Sequence, residues 1–176
     1  MSGILVIKRA RTVPVDVKQL RLITHALLAE LLALEVFELG LHLVRAPEMA
    51  RINQAFLNHE GPTDVITFDY SGSVGDDVRS LKLKKKSEPT HVGSYKSLMG
   101  ELFICYDVAL AQAAEFRTNW QSEIVRFVVH GVLHLQGFDD HAPADLRKMK
   151  REENRLLRKL SRRFQISKLA RRRQPA

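Results

Sequence analysis

Two histidines separated by three residues, His130 and His134, are the residues whose types and spacing most clearly suggest chemistry. They stand in a segment whose apolar spacing predicts an α-helix. Residues four positions apart on a helix differ by about 40° around its axis, so both imidazoles project from the same side. One helix can then offer two ring nitrogens to a single divalent metal ion. The pair therefore predicts a metal centre.

The residues that follow the pair could complete a set of metal ligands. Gly137 is placed to end the helix in a left-handed conformation and to turn the chain back. After that turn, Asp139, Asp140 or His141 could bind the same metal. Three protein ligands with an exchangeable water form a catalytic zinc site, whereas a closed set of four forms a structural one. We therefore expect a metal-dependent hydrolase, whose third ligand the spacing leaves open.

The same segment is similar to the zinc-protease pattern H-E-x-x-H-x-x-G-x-x-H. Gly131 stands where that pattern requires a glutamate that acts as the general base. Because a peptidase of that type would lack its base, we rank this function low. A glycine inside a helix costs about 1 kcal/mol relative to alanine. Close packing or the approach of a substrate is therefore the expected reason for Gly131.

Strands and helices that would position this segment are mixed along the chain. Short apolar runs predict strands, and apolar residues three and four apart predict helices. The expected strands are Gly3–Lys8, Phe37–Val44, Val65–Tyr70 and Gly100–Cys105, and the expected helices are Pro14–Leu34, Pro47–Leu57, Asp107–Phe116, Trp120–Gln136 and Pro143–Phe164. The polar segment Ser71–Ser97 predicts a long flexible loop. Together these elements indicate a single α+β or α/β domain with about four strands.

Length and composition fit one globular domain. The chain has 176 residues, of which 45% are apolar and 27% charged, and this is enough to enclose a core. No stretch reaches the roughly 18 uninterrupted apolar residues of a membrane span, and the N-terminus lacks the pattern of a signal peptide. Cys105 is the only cysteine, so no internal disulfide can form. We therefore expect a cytoplasmic protein.

Three segments of the chain point to a known family. Residues His130–Leu135 and Gly137–Asp139 follow the pattern H-G-x-L-H-L-x-G-Y-D-H. Residues Ile52–Phe68 resemble L-N-x-x-Y-R-x-x-x-x-P-T-N-V-L-S-F, and Gly100–Cys105 resembles a G-D pair followed by an apolar strand. The segments occur in family order over about residues 35–155. The chain thus resembles the bacterial YbeY-type family of rRNA maturation factors, which are metal-dependent single-strand endoribonucleases.

The resemblance implies a fold, a reaction and its partners. The fold would be α+β, with a mixed sheet of about four strands packed by helices and a zinc-binding helix beside it. The reaction would be zinc-dependent cleavage of single-stranded RNA in rRNA maturation, notably late 16S rRNA processing in the small ribosomal subunit, and in ribosome quality control. One Zn²⁺ per chain is the expected cofactor.

The resemblance also assigns site residues. His130 and His134 would be metal ligands, with Asp140 or His141 as the third. Asp140 keeps the register of the family's third histidine, while His141, one residue later, is the softer donor. Glu101 resembles the family's acidic position, so Glu101 and His130 are the expected catalytic residues. Glu101 could equally be a surface acid at the edge of a strand.

One departure from the family pattern concerns phosphate binding. Leu57 occupies the position of an arginine that, in the family, is expected to face the substrate phosphate. Leucine cannot stabilise developing negative charge. Arg51, His59 or Lys96 could substitute for the arginine. The alternative is a ribosome-assembly factor that binds RNA with weak or no catalysis, and a zinc peptidase ranks below both.

Positive charge is concentrated near the C-terminus. Residues 147–173 contain 13 Lys and Arg against two glutamates, a balance of +11 in a chain whose net charge is +8. Such a block is typical of a surface that contacts polyanions. We expect residues 1–165 to form the YbeY-like hydrolase domain and residues 166–176 to form a basic tail that frays. Arg171, Arg172 and Arg173 would contact RNA phosphates.

Overall fold

Four strands form one mixed sheet in the order β1-β2-β4-β3, within the two stretches that the computed structural model describes, residues 2–71 and 97–171. The strands are β1 (Ser2–Arg9), β2 (Val36–Val44), β3 (Val65–Asp69) and β4 (Ser97–Cys105). Strands β1, β2 and β4 run parallel, and β3 pairs antiparallel with β4 at one edge. The predicted mixed sheet of four strands is confirmed.

Helices connect the strands and cover the sheet. In the described chain they are α1 (Val17–His25), a π-helical turn (Ala26–Leu31), α2 (Ala46–Leu57), α3 (Tyr106–Glu115), α4 (Trp120–Leu135), α5 (Pro143–Arg163) and a 3-10 turn (Ile166–Leu169). Helix α4 contacts β3 and β4 of the sheet and also the helices α3 and α5. The predicted α+β architecture is confirmed, with the histidine helix packed on the sheet.

Alternation along the central strands directs one face of the sheet into the core. Leu39 and Leu41 of β2 and Leu102 and Ile104 of β4 are buried, because residues two apart on a strand share a face. Helices α1 and α4 lie on this face and contact β1 and β4 respectively. Gly40 and Phe103, which lie between these residues, and Glu101, which precedes Leu102, belong to the opposite face.

Helix α4 packs closely against the sheet at Gly131. A Cβ atom added there would lie 2.9 Å from a methyl carbon of Leu102 and 3.2 Å from Cγ2 of Val65. Of the two reasons expected for this glycine, close packing or the approach of a substrate, the structure shows close packing. His130 and His134 lie beside this contact and are only partly buried. The sheet therefore fixes which side of α4 the two imidazoles occupy.

The first helix is shorter than the single helix predicted over Pro14–Leu34. Val15 pairs with Ala170 in an isolated β-bridge, so α1 begins only at Val17. Asp16 caps the helix, because its carboxylate accepts two backbone N–H groups of the first turn. The rest of the predicted helix is formed by the π-helical turn, which ends before the predicted boundary.

The C-terminal segment, predicted to fray, is packed against the domain as far as Arg171. The 3-10 turn after α5 buries Leu169 completely. The carbonyl of Leu169 accepts the N–H of Asp16 at 2.8 Å, and the N–H of Arg171 donates to the carbonyl of Pro14 at 2.8 Å. The expectation of fraying is therefore wrong for residues 166–171, because an apolar anchor and these hydrogen bonds hold them.

Two parts of the sequence predictions lie outside the described residues. They are Arg172 and Arg173 of the basic tail and residues 72–96 of the predicted loop. The proposed division of the chain at residue 165 also stays a prediction. Within residues 2–71 and 97–171, no helix has the length and apolarity that a membrane crossing requires.

Gly100 allows β3 to approach β4, and this generates a prediction. A Cβ atom at Gly100 would lie 2.5 Å from the backbone oxygen of Phe68 and 3.0 Å from the methyl carbons of Leu135. Because a strand backbone must shift, we expect Gly100→Ala to lower the free energy of unfolding by about 1–3 kcal/mol. Chemical denaturation measures this. Ser97→Ala, at the exposed start of β4, is the control, and equal stability of the two variants would contradict the packing argument.

Candidate metal centre

The two histidines of α4 meet at their Nε2 atoms. His130 Nε2 lies 3.0 Å from His134 Nε2, and the two rings are nearly perpendicular, at 87°. The i, i+4 spacing places both side chains on one side of the helix, as the sequence predicts. Their side chains are 20% and 24% exposed, so both rings are partly open to solvent.

The turn after α4 brings Asp140 to the histidine pair. Gly137 adopts a φ of 86°, in the left-handed region, and reverses the chain. The Oδ2 atom of Asp140 then lies 3.8 Å from His130 Nε2 and 3.7 Å from His134 Nε2. These three residues form a group whose ligand atoms all lie within 4.8 Å of one another.

The alternative third ligand, His141, does not belong to the group that His130, His134 and Asp140 form. Its side chain is 89% exposed and contacts the carboxylate of Asp139 through Nδ1. Asp139 also accepts the backbone N–H groups of Asp140 at 2.8 Å and His141 at 3.1 Å. The His141 side chain and these N–H groups lower the pKa of Asp139 to about 2. This local turn places Asp140, and not His141, beside the histidine pair.

Each imidazole is oriented by a hydrogen bond at its other nitrogen. His130 Nδ1 lies 3.2 Å from Oε2 of Glu153 on α5, and His134 Nδ1 lies 3.0 Å from the carbonyl oxygen of Phe138. A carbonyl and an ionised carboxylate can only accept, so both Nδ1 atoms carry the hydrogen. Each Nε2 atom of the neutral rings therefore presents a lone pair towards the other ring.

Charge around His130 distinguishes it from His134. The hydrogen bond to Glu153 raises the pKa of His130 despite partial burial, and the charges of Asp64 and Asp140 act in the same direction. Burial lowers the pKa of His134, and the nearby His130 lowers it further. Burial opposes ionisation of Glu153, but hydrogen bonds from His130 and Arg126 outweigh it and keep its pKa below the usual value.

The converging atoms fit a divalent metal ion. The two Nε2 atoms and one carboxylate oxygen face each other at 3.0, 3.7 and 3.8 Å, and all three are acceptors when the rings are neutral. Tetrahedral ligand atoms about 2.0–2.1 Å from a zinc ion lie about 3.3–3.4 Å apart, within the range of these separations. Two imidazoles and one carboxylate form a catalytic zinc set that leaves a fourth position for water.

The sequence comparisons identify the family. The family model for Endoribonuclease YbeY matches residues 6–161. The chain belongs to the YbeY endoribonuclease family. A relative from Chlorobium luteolum, named Endoribonuclease YbeY, is 37% identical over 112 residues, which are 64% of this chain and 66% of the relative. Another of the same name, from Thermobifida fusca, is 32% identical over 145 residues, covering 82% of this chain and 86% of the relative.

A solved structure supports the fold. The solution structure of TM1509 from Thermotoga maritima matches with a TM-score of 0.57 at 22% identity. The match covers 93% of this chain and 91% of that one. At this identity the similarity concerns the fold alone. This chain spans 66% of the length of the Chlorobium luteolum relative, and the same share of another relative named Endoribonuclease YbeY, from Azobacteroides pseudotrichonymphae.

The acidic residue that the YbeY resemblance assigned to catalysis lies elsewhere. Glu101 projects from the sheet face opposite α4, since its neighbours on β4 pack against Gly131 and Leu135 of that helix. Its carboxylate lies 3.3 Å from Nε2 of His42 and accepts the hydroxyl of Tyr70 at 3.1 Å. The structure thus does not bring Glu101 together with His130, and nothing in this geometry supports its predicted catalytic role.

The residue at the position where the resemblance implies a phosphate-facing arginine is apolar in this chain. Leu57 ends α2 and is 37% exposed. Of the suggested substitutes, Arg51 pairs with Glu48 on the same helix, His59 is exposed, and Lys96 lies outside the described residues. The structure instead connects an unforeseen arginine to the histidine pair: Arg126 donates to Oε1 of Glu153 at 2.6 Å.

Glu153 is the site residue that sequence reasoning missed. A signal for it was present, because Glu153 shares its face of α5 with the buried residues Met149, Leu156 and Leu160. A carboxylate on an apolar helix face requires a partner, since burying an unpaired charge is costly. The sequence alone could not show that the partner is His130.

The neighbouring candidates Asp140 and His141 provide a matched pair of variants for the third ligand. We expect about one zinc per chain in the wild type, and its loss in a His130→Ala/His134→Ala variant. Asp140→Ala should weaken zinc binding strongly, whereas His141→Ala should have a small effect because its side chain points to solvent. A competitive titration with a chromophoric chelator gives both affinities. The reverse order would show that the turn rearranges when metal binds.

Proposed function

We propose that this protein is a zinc-dependent endoribonuclease that cleaves single-stranded RNA during rRNA maturation, in association with the small ribosomal subunit. Its membership of the YbeY family supports hydrolysis of RNA. The observation that supports the metal dependence is the convergence of ligand atoms from His130, His134 and Asp140 within 4.8 Å of one another, with a lone pair on each Nε2 atom when the rings are neutral. Such a cluster is costly unless a cation occupies it.

The residues of the centre have separate roles. His130, His134 and Asp140 would hold the zinc, while Glu153 and the carbonyl of Phe138 keep both Nε2 atoms aimed at it. When bound, the zinc supplies an acidified water and polarises the phosphoryl oxygen. Asp140 replaces a neutral imidazole of the family pattern by a carboxylate, so the protein contributes one more negative charge to the site.

A stripe of arginines on α5 is the surface that we assign to the RNA backbone. Arg147, Arg151, Arg158 and Arg162 are exposed or partly exposed and lie away from the buried residues of α5. At about 1.5 Å per residue, the stripe extends over roughly 22 Å. Helix α5 begins at Pro143, three residues after Asp140, and the stripe begins at Arg147 in the second turn of the helix.

Two other functions make different demands on the structure. An RNA-binding assembly factor needs the α5 stripe but no catalysis, and the apolar Leu57 favours this alternative. A zinc peptidase needs a general base in the position after His130. That position is Gly131, which is packed against Leu102 and Val65, so the peptidase lacks support.

Leu57 provides the test of catalysis. One well-placed donor to developing negative charge is worth about 10²–10³ in rate. We expect the wild type to cleave single-stranded RNA slowly, to lose activity with a chelator and to regain it with zinc. Leu57→Arg should increase the single-turnover rate at saturating zinc.

Leu57→Gln is the control for polarity without charge, and a double-stranded RNA is the control substrate. Rapid cleavage by the wild type that Leu57→Arg slows would show that another cation already binds the phosphate. RNA binding without cleavage by either protein would establish the assembly-factor alternative.

The salt dependence of RNA binding tests the arginine stripe. Each phosphate that the protein neutralises on a single strand contributes about 0.7 to the slope of log K against log salt concentration. We therefore expect Arg151→Gln/Arg158→Gln to weaken binding and to reduce the slope by about 0.7 for each phosphate that the variant leaves unneutralised. Arg11→Gln/Lys18→Gln removes the same charge from the region around the start of α1 and should leave the slope unchanged. If the two double variants changed the slope equally, the stripe would contribute only general electrostatic attraction and no specific phosphate contacts.

A further inference from the structure

A continuous chain of polar contacts leads from the start of α4 to the metal centre. Thr118 donates its hydroxyl to Oε1 of Glu123 at 2.5 Å, and Oε2 of Glu123 lies 3.3 Å from Nε of Arg126. Arg126 then donates to Oε1 of Glu153 at 2.6 Å, and Oε2 of Glu153 faces His130 Nδ1 at 3.2 Å. Each residue of this chain is therefore in polar contact with the next one, and the chain ends at His130, a candidate metal ligand.

Burial makes this chain costly to form. The side chains of Glu123 and Glu153 are only 2% and 9% exposed, and Arg126, at 39%, links the two. Two buried carboxylates beside one arginine are destabilising unless their hydrogen bonds are complete. An apolar pair between α4 and α5 would pack without this cost. Stabilisation of the helix contact is therefore a poor account of why charged groups are placed here.

The geometry at Glu153 indicates what the chain achieves. Arg126 occupies Oε1 of Glu153, which leaves Oε2 to accept the hydrogen of His130 Nδ1. A carboxylate in this place favours the tautomer of His130 that presents its Nε2 lone pair. If Glu153 rotated, His130 would lose both its orientation and its fixed tautomer.

We propose that Glu153, held by Arg126, is a positioning residue that fixes the orientation and tautomer of His130 for metal binding. The inference rests on the metal centre of the proposed function and not on RNA cleavage. Glu123 and Thr118 extend the arrangement by fixing Arg126. Glu153 contacts no substrate in this scheme and acts only through His130.

Zinc affinity measured by chelator competition tests the role of Glu153. In Glu153→Gln the amide can donate to Nδ1, which favours the tautomer with hydrogen on Nε2. We expect the affinity to fall about 10–100-fold, the usual effect of losing such a partner. Glu152→Gln is the matched control, since Glu152 is the adjacent residue and pairs with Arg155. It should retain wild-type affinity.

A double-variant cycle tests the role of Arg126. Arg126→Met should weaken zinc binding less than Glu153→Gln does, and it should have no further effect in the Glu153→Gln background, because it acts through Glu153. Additive effects would overturn the link between the two residues. Thermal unfolding of each metal-free variant is measured in parallel. Unchanged zinc affinity in Glu153→Gln, whatever its stability, would overturn the positioning role.

The wild type provides a test that does not depend on the folding of variants. In the metal-free protein at alkaline pH, long-range ¹H–¹⁵N spectra should show His130 with its hydrogen on Nδ1. A hydrogen on Nε2 would overturn the proposal. A wild type that binds zinc but does not cleave RNA would contradict the proposed function and leave this inference intact. A wild type that does not bind zinc would overturn both.

Discussion

Three acceptor atoms that face one another are the constraint on which this structure depends. When both rings are neutral, the Nε2 lone pairs of His130 and His134 and the charge of Asp140 repel one another, and a proton or a metal cation among them relieves this repulsion. Several elements must act together to hold such an arrangement. The sheet fixes the rotation of α4 through Gly131, the turn after α4 positions Asp140, and α5 contributes Glu153. The chemistry of the centre is therefore a property of the whole domain.

Much of the fold and half of the site follow from the sequence because local patterns determine them. The apolar repeats locate the four strands and the main helices, and the i, i+4 spacing alone places His130 and His134 together. Family register favours Asp140 over His141, but the physical reason lies in the hydrogen bonds of the Asp139 turn. Those bonds depend on backbone geometry that spacing does not specify.

The remaining features depend on contacts between distant segments. The alternation of residues along β4 predicts which face of the strand carries Glu101. Only the tertiary structure shows that α4 covers the other face. The same holds for Glu153, whose partner lies on another helix, and for Leu169, which is buried although its surroundings in sequence are basic. In residues 147–173, the density of positive charge predicts a surface that binds polyanions. It gives no indication that Leu169, within this segment, is buried.

The bridge between Val15 and Ala170 has a consequence for how the domain is made. It joins the start of the first helix to a segment near the other end of the chain, and Leu169 fills a place in the core beside it. Protein synthesis proceeds from the N-terminus, and contacts between remote segments form late. Helix α1 therefore emerges from the ribosome long before its last neighbour does. Until residues 166–171 have emerged from the ribosome, the part of the core that Leu169 covers stays uncovered, so we expect these residues to complete the folding of the domain.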